Sequence, residues 1–264
     1  MVEKIEYLIG LRVGHRLSHP LGKVVIISSA HKVGSTWLFN MVADLGKMRK
    51  IRPPSKFSVT GTLIIDNDDL SFYFNFIFGK AIFKSHSNPP LNEPNDNVKL
   101  VNIYRDPRDV IVSNIFYLAK LEPHLGGWNE EFRSMNEIER IKYFIVNGDF
   151  SLSKLEMWFD FEDSFKLKYE DLLNNSFFEL QRLFKWLDIK VKANEIDKTI
   201  QNYSFKKMTE KKLDRSWFFR KGISGEWKNY FNAECIDIFK KAKNGRWNNL
   251  LLKMGYEEDE SWSV

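Results

Sequence analysis

The segment HKVGSTW, His31 to Trp37, places a lysine just ahead of a glycine and a serine–threonine pair directly behind it. It follows an apolar run, KVVIISS, and precedes LFNMVADL, whose apolar residues recur at helical spacing. Backbone N–H groups at a helix N-terminus point outward and carry positive potential, so such a junction stabilises an anion. Gly34 lets the backbone approach that anion, Lys32 adds a point charge, and Ser35 and Thr36 add hydroxyl donors within one turn. The order is not that of a Walker loop. The first glycine of G-x-x-x-x-G-K-[ST] is missing, and the lysine comes before the last glycine instead of after it. Alone, the segment also suits a turn glycine with a solvated lysine and a capping serine.

Residues of related chemistry follow other apolar runs. In FKSHSNPP, His86 is of a residue type whose unperturbed pKa lies near neutrality and so suits removal of a proton from a hydroxyl, while Lys84 lies on the same face of an extended strand. In YRDPRDVIVSNIFYL, Arg105 offers a planar fork for a phosphate, and Ser113 follows about two helical turns later. In FFRKGISGEWKNYF, Arg220, Lys221 and Gly222 form a small basic cluster. The remaining histidines, His15, His19, His31 and His124, sit in no comparable segment.

The elements that must hold these residues alternate between strand and helix. Lys23 to Ser29, Lys80 to His86 and Val98 to Tyr104 are short and rich in branched apolar residues, as buried parallel strands are. Asp106 as a cap and Pro107 in the first turn predict a helix after the third run. Ser164 to Leu173 reads as a strand running into a turn, and NSFFELQRLFKWLDI and NAECIDIFKKAKNGRWNNLLLKM read as amphipathic helices. Asp214 to Phe231 lacks periodicity and reads as a long ordered loop.

With 264 residues, 43% hydrophobic and 15% aromatic, the chain is long and apolar enough for one domain with a substantial core. A formal charge of +5 fits an anionic ligand but is too small to argue for nucleic acid. The single cysteine, Cys235, excludes an internal disulfide and a cysteine-rich zinc site, and makes a reducing compartment the expectation. The first twenty residues are interrupted by charge, and no window reaches membrane-spanning length, so a cytoplasmic protein is expected.

Three of these segments resemble those of the cytosolic sulfotransferases. HKVGSTW is similar to that family's phosphosulfate-binding motif, usually P-K-S-G-T-T-W, with the lysine, glycine, both hydroxyls and tryptophan kept. Arg105 and Ser113 match its 3′-phosphate element, and FFRKGISGEWKNYF matches R-K-G-x-x-G-D-W-K-N-x-F with Glu226 in place of aspartate. The resemblance implies an α/β fold: a single sulfotransferase domain over 1–264, with a central, mostly parallel sheet flanked by helices and a P-loop-like phosphosulfate-binding loop. It further implies transfer of the sulfuryl group from 3′-phosphoadenosine 5′-phosphosulfate (PAPS) to a hydroxyl or amine, releasing adenosine 3′,5′-bisphosphate (PAP), with no metal. By the same resemblance, PAPS is held by Lys32, Val33, Gly34, Ser35, Thr36 and Trp37, by Arg105 and Ser113, by Tyr169, Ser204 and Phe205, and by Phe218, Phe219, Arg220, Lys221 and Gly222. Trp37 stacks on the adenine.

His86 resembles the catalytic histidine of the family's K-T-H-L-P segment, with Lys84 and Lys32 stabilising the transferred charge and Ser113 restraining Lys32 until the acceptor arrives. The acceptor is a small apolar or aromatic molecule, for which Phe72, Phe74, Phe76 and Tyr117 are candidate pocket residues. The alternatives are a P-loop-like kinase or triphosphatase, a membrane-anchored carbohydrate sulfotransferase and a non-catalytic nucleotide binder. The first lacks a GK[ST] loop, the second lacks its anchor and disulfide, and the third conflicts with the presence of both His86 and Lys32. The family's dimer segment, K-x-x-x-T-V-x-x-x-E, survives only in part as Lys228, Asn232, Ala233 and Asp237, which argues against a homodimer through it.

Overall fold

The computed structural model describes residues 22–51, 58–59, 62–63, 79–90, 97–121, 129–210 and 221–263. Seven strands form one sheet: β1 (Gly22–Ser28), β2 (Arg49–Lys50), β3 (Ser58–Val59), β4 (Thr62–Leu63), β5 (Gly79–Ser85), β6 (Val98–Tyr104) and β7 (Phe165–Lys168). Their order is β3-β4-β5-β1-β6-β7, with β2 also paired to β5, and every pairing but β3 with β4 is parallel. The helices in chain order are α1 (Ser35–Leu45), α2 (Pro107–Lys120), α3 (Glu130–Ser134), α4 (Glu137–Asn147), α5 (Asp149–Asp160) and α6 (Tyr169–Asn174). They continue as α7 (Ser176–Trp186), α8 (Ala193–Asn202), α9 (Phe205–Glu210), α10 (Ala233–Lys241) and α11 (Arg246–Lys253).

The central strands are buried on both faces, which is why they read as unbroken apolar runs. Val25, Ile27, Ile82, Val101 and Ile103 pack with Leu38 and Met41 of α1 and Val110 and Ile111 of α2. On the opposite face Val24, Ile26, Ala81, Phe83 and Leu100 pack around Trp158 of α5. The register aligns Ser28 with both Ser85 and Asn102, so β1 and β5 end level with one another while β6 runs on to Tyr104. After β1 the chain passes to the β5 side of the sheet, and after β5 it crosses to β6. In open α/β sheets, ligands bind at the carboxyl edge beside such a reversal.

Two expectations change. The residues after β7 form the helix α6 rather than a turn, with Tyr169 as its first residue and Glu170 and Asp171 in the first turn, where negative charge is stabilised. The long C-terminal helical stretch is two helices, because Lys243, Asn244 and Gly245 all take positive φ and end α10 before α11 begins. The helix expected after Tyr104 forms as α2, with Pro107 at its start and the Asp106 carboxylate accepting the Arg108 N–H at 2.8 Å. Among the described residues no helix is long and apolar enough to cross a membrane.

Trp158 is fully buried and its indole N–H donates to the Ser87 carbonyl at 2.8 Å, so it fixes one sheet face and the segment after β5 together. Trp158→Ala is expected to lower unfolding free energy by about 3–5 kcal/mol, measured by denaturant titration. A loss below about 1 kcal/mol would mean that this face is filled by other residues.

Candidate active site

Gly34 caps α1 at φ 94, a left-handed conformation that glycine adopts without strain. A β-carbon there would lie 2.7 Å from the Tyr169 ring, so close packing against α6 requires glycine as well. No side chain caps α1 and no acidic residue occupies its first turn, which leaves that end electropositive. Val33 and Ser35 are buried, Thr36 is half-buried, and the Lys32 ammonium lies 4.5 Å over the Tyr117 ring. Tyr117 is one turn beyond Ser113 on α2, so Lys32 reaches the helix face that carries that serine.

From the neighbouring strand, Lys84 donates to the Thr36 hydroxyl at 2.7 Å and ties β5 to the loop. Two residues on, His86 Nδ1 lies 3.0 Å from the Ser29 carbonyl oxygen. A carbonyl only accepts, so Nδ1 carries the proton and Nε2 keeps its lone pair. Lys154 of α5 donates to the His86 carbonyl. The His31 ring stacks on the His86 ring with centroids 4.2 Å apart and planes at 29°.

Both imidazoles are held below their ordinary titration range. Burial lowers His31 to about 4, helped by the positive charges of Lys154, Lys84 and Lys32. Burial also holds His86 well below the usual value, with His31 and Lys84 acting in the same sense and the bond to the Ser29 carbonyl opposing them. At neutral pH the His86 ring is therefore neutral, with a fixed tautomer.

The expected 3′-phosphate region is tightly connected. Arg105 is buried; its Nη2 donates to the Ile223 carbonyl at 2.7 Å and to Asp109 at 3.1 Å, and its guanidinium lies 4.5 Å over the Tyr169 ring. Among the described residues its buried Nε has no hydrogen-bond partner. Asp109, which sequence spacing does not single out, also accepts from the N–H groups of Gly225 and Trp227 at 2.8 and 2.9 Å, so α2 holds the segment just after Lys221 and Gly222 in place. Gly222, at φ 65, leaves room for Phe205, whose ring would lie 2.5 Å from a β-carbon there. Lys221 pairs with the buried Glu226 at 2.7 Å. Trp37 packs edge-on to Tyr169 at 6.0 Å and donates to the Tyr203 carbonyl at 2.9 Å, while Ser204 is exposed. Phe72, Phe74, Phe76, Phe218, Phe219, Arg220, His15, His19 and His124 lie outside the described residues.

The model of the sulfotransferase domain matches residues 23–247, most of the chain. The chain belongs to the sulfotransferase family. Sulfotransferase 1B1 of Canis lupus familiaris is 26% identical over 257 residues, covering 84% of this chain and 83% of that protein. The 3-alpha-hydroxysteroid sulfotransferase of Cavia porcellus is 26% identical over 239 residues, covering 80% and 78%. The fold is also that of mouse sulfotransferase SULT7A1 complexed with PAP, at TM-score 0.61 and 18% identity, with 94% of each chain covered. Retinol dehydratase in complex with androsterone and PAP superposes at TM-score 0.60 and 19% identity, covering 97% of this chain and 87% of that one.

The depressed histidines make this sulfotransferase acid-sensitive. His31 titrates near 4 when folded and near 6.5 when unfolded, so on acidification the unfolded chain takes up the proton first. This contribution is complete above about pH 6.5 and is lost as pH falls toward 4. His86 acts with the same sign. The melting temperature is expected to drop across that window by calorimetry, and His31→Phe to drop less; equal losses in both proteins would contradict the assignment.

Proposed function

We propose that this chain transfers the sulfuryl group of PAPS to the hydroxyl or amine of a small acceptor and releases PAP. The observation that carries the reading is the meeting, at the level ends of β1 and β5, of an uncapped helix N-terminus, the Lys84–Thr36 bond and a histidine with Nε2 free of the proton. The residues suit the donor: the buried Arg105 Nε lacks a partner among the described residues, Phe205 exposes 39% of its surface beside Gly222, and α1 offers its amides without a competing carboxylate. PAP in two solved structures of the same fold supports the choice of nucleotide.

In this reading the loop from Lys32 to Trp37 holds the 5′ end of the donor, and Arg105, Ser113, Phe218, Phe219, Arg220, Lys221 and Gly222 hold its 3′-phosphate. Tyr169, Ser204 and Phe205 lie along the adenosine, with Trp37 at the base. Bound there, PAPS supplies an electrophilic sulfur and a phosphate leaving group. His86 takes the acceptor proton at Nε2 while its Nδ1–H stays on Ser29. Lys84 and Lys32 stabilise charge on the sulfuryl and bridging oxygens. The rows of aromatic residues favour an apolar or aromatic acceptor, with Tyr117 at the pocket. One domain spans 1–264, and the compartment is the cytoplasm, consistent with a single thiol that is buried. Asn232, in the degraded dimer segment, accepts from the Cys235 N–H at 2.9 Å as the cap of α10.

His86→Ala is expected to lower transfer to a responsive phenol or alcohol by about two to four orders of magnitude while PAP affinity stays within about twofold. Lys32→Ala is expected to weaken PAP binding by about 1.5–3 kcal/mol, and Trp37→Ala by about 1–3 kcal/mol, by isothermal titration. Near wild-type transfer by the His86 variant removes it as the base. Unchanged PAP affinity in both other variants removes the nucleotide assignment.

A further inference from the structure

We propose that His31 is a positioning residue for the transfer reaction: its ring, stacked on His86, fixes the plane of the base and aims Nε2 at the acceptor. The inference rests on the reading of His86 as the base. It begins from a mechanical gap in how His86 is held. One hydrogen bond, Nδ1–H to the Ser29 carbonyl at 3.0 Å, fixes one atom of the ring but leaves the plane free to swing about that line. The bond from Lys154 to the His86 carbonyl and that from Trp158 to the Ser87 carbonyl fix only the backbone. Among the described residues the ring contact that bears on this plane is His31, with ring centroids 4.2 Å apart and planes at 29°.

The position of His31 gives the contact a second consequence. It immediately precedes Lys32 in the anion-binding loop, and Lys84 joins β5 to the same loop through Thr36. The base and the loop are thus coupled at two points, one a hydrogen bond and the other a ring contact. In the sulfotransferase motif quoted above this position is proline, which has no aromatic face to offer.

The groups facing the pair are Lys32 from the loop, Lys84 from β5 and Lys154 from α5, all cations that act against protonation of either ring. The His31 ring excludes water from one face of His86 and so preserves the desolvation that keeps the base unprotonated. Removing that ring opens the face and lets His86 take up a proton at higher pH. A phenyl ring at the same position covers the face without carrying a proton.

The experiment compares wild type, His31→Ala and His31→Phe by histidine-labelled NMR titration of His86 and by transfer to a phenol or alcohol across pH 5 to 9, with PAP titration as a control. Expected for His31→Ala are an upward shift of the His86 titration, a matching upward move of the acid limb of the rate, and turnover at neutral pH lower by about tenfold to hundredfold. PAP affinity should stay within about twofold, and His31→Phe should restore both the titration and the rate. An unmoved His86 titration in His31→Ala, or a folded His31→Phe that behaves like His31→Ala, overturns the inference. A titration that moves and is restored while the rate profile does not change overturns the base assignment instead, since the ring contact then acts on a histidine that does not take the proton.

Discussion

The parallel pairing of β1 with β5 is the constraint on which the site depends. Because Ser28 and Ser85 are register partners, the chain leaves both strands at the same height, and the following residues diverge over a common edge. From one strand come Ser29, His31 and Lys32; from the other comes His86, with Lys84 just inside the edge. A slip of one residue in this register would turn Lys84 and His86 to the opposite face and break both the Thr36 and the Ser29 contacts. The interdigitated core resists such a slip, since Ile26 and Phe83 are fully buried register partners beside Trp158.

A second tie, Asp109, does for the region proposed to hold the 3′-phosphate what the strand register does for the loop. It is fully enclosed and accepts from Arg105, Gly225 and Trp227, so one carboxylate joins α2 to a segment more than a hundred residues later. Burial raises its pKa, and the Arg105 guanidinium with the two N–H groups opposes that rise. Removing one partner from such a set leaves a buried charge or donor unpaired, so Asp109 and Arg105 hold the basic loop only as a unit.

Sequence pattern and structure agree where local rules and tertiary context point the same way. Val98 to Tyr104 is a strand over the expected residues because a strand covered on both faces needs apolar residues on both. Asp106 and Pro107 start α2 because capping and proline geometry are local. The strand-end position of His86 was legible because β-branched runs and the polar residues after them are adjacent in sequence. The break at Lys243 to Gly245 was missed because apolar spacing on both sides continues a helical period, and only Gly245 marked a left-handed turn. The helix starting at Tyr169 was missed because its six residues are too few to show a period. His31 was set aside for a different reason: its partner is 55 residues away, and no local spacing reveals which ring will lie on which.

The same edge gathers conformations that do not favour folding. Lys32 takes a left-handed backbone at φ 65, which costs a non-glycine residue about 1–2 kcal/mol. Among the described residues, Ser28 and Ser29 keep buried hydroxyls without hydrogen-bond partners, and Asn102 keeps its side-chain oxygen unpaired while its NH2 donates to the Trp158 carbonyl at 3.0 Å. Two histidines are held neutral among three lysines. None of these features is needed to close the sheet, whose strands are fully apolar only a few residues earlier. Their concentration at the carboxyl edge of β1 and its neighbours fits the proposed task of that edge: to bend the chain so that amides face an anion, and to keep a base dry enough to remain unprotonated. The strain is tolerated because it lies at the rim, where the core residues of β1 and β5 remain in place, so a local conformational cost does not disturb the packing that sets the register.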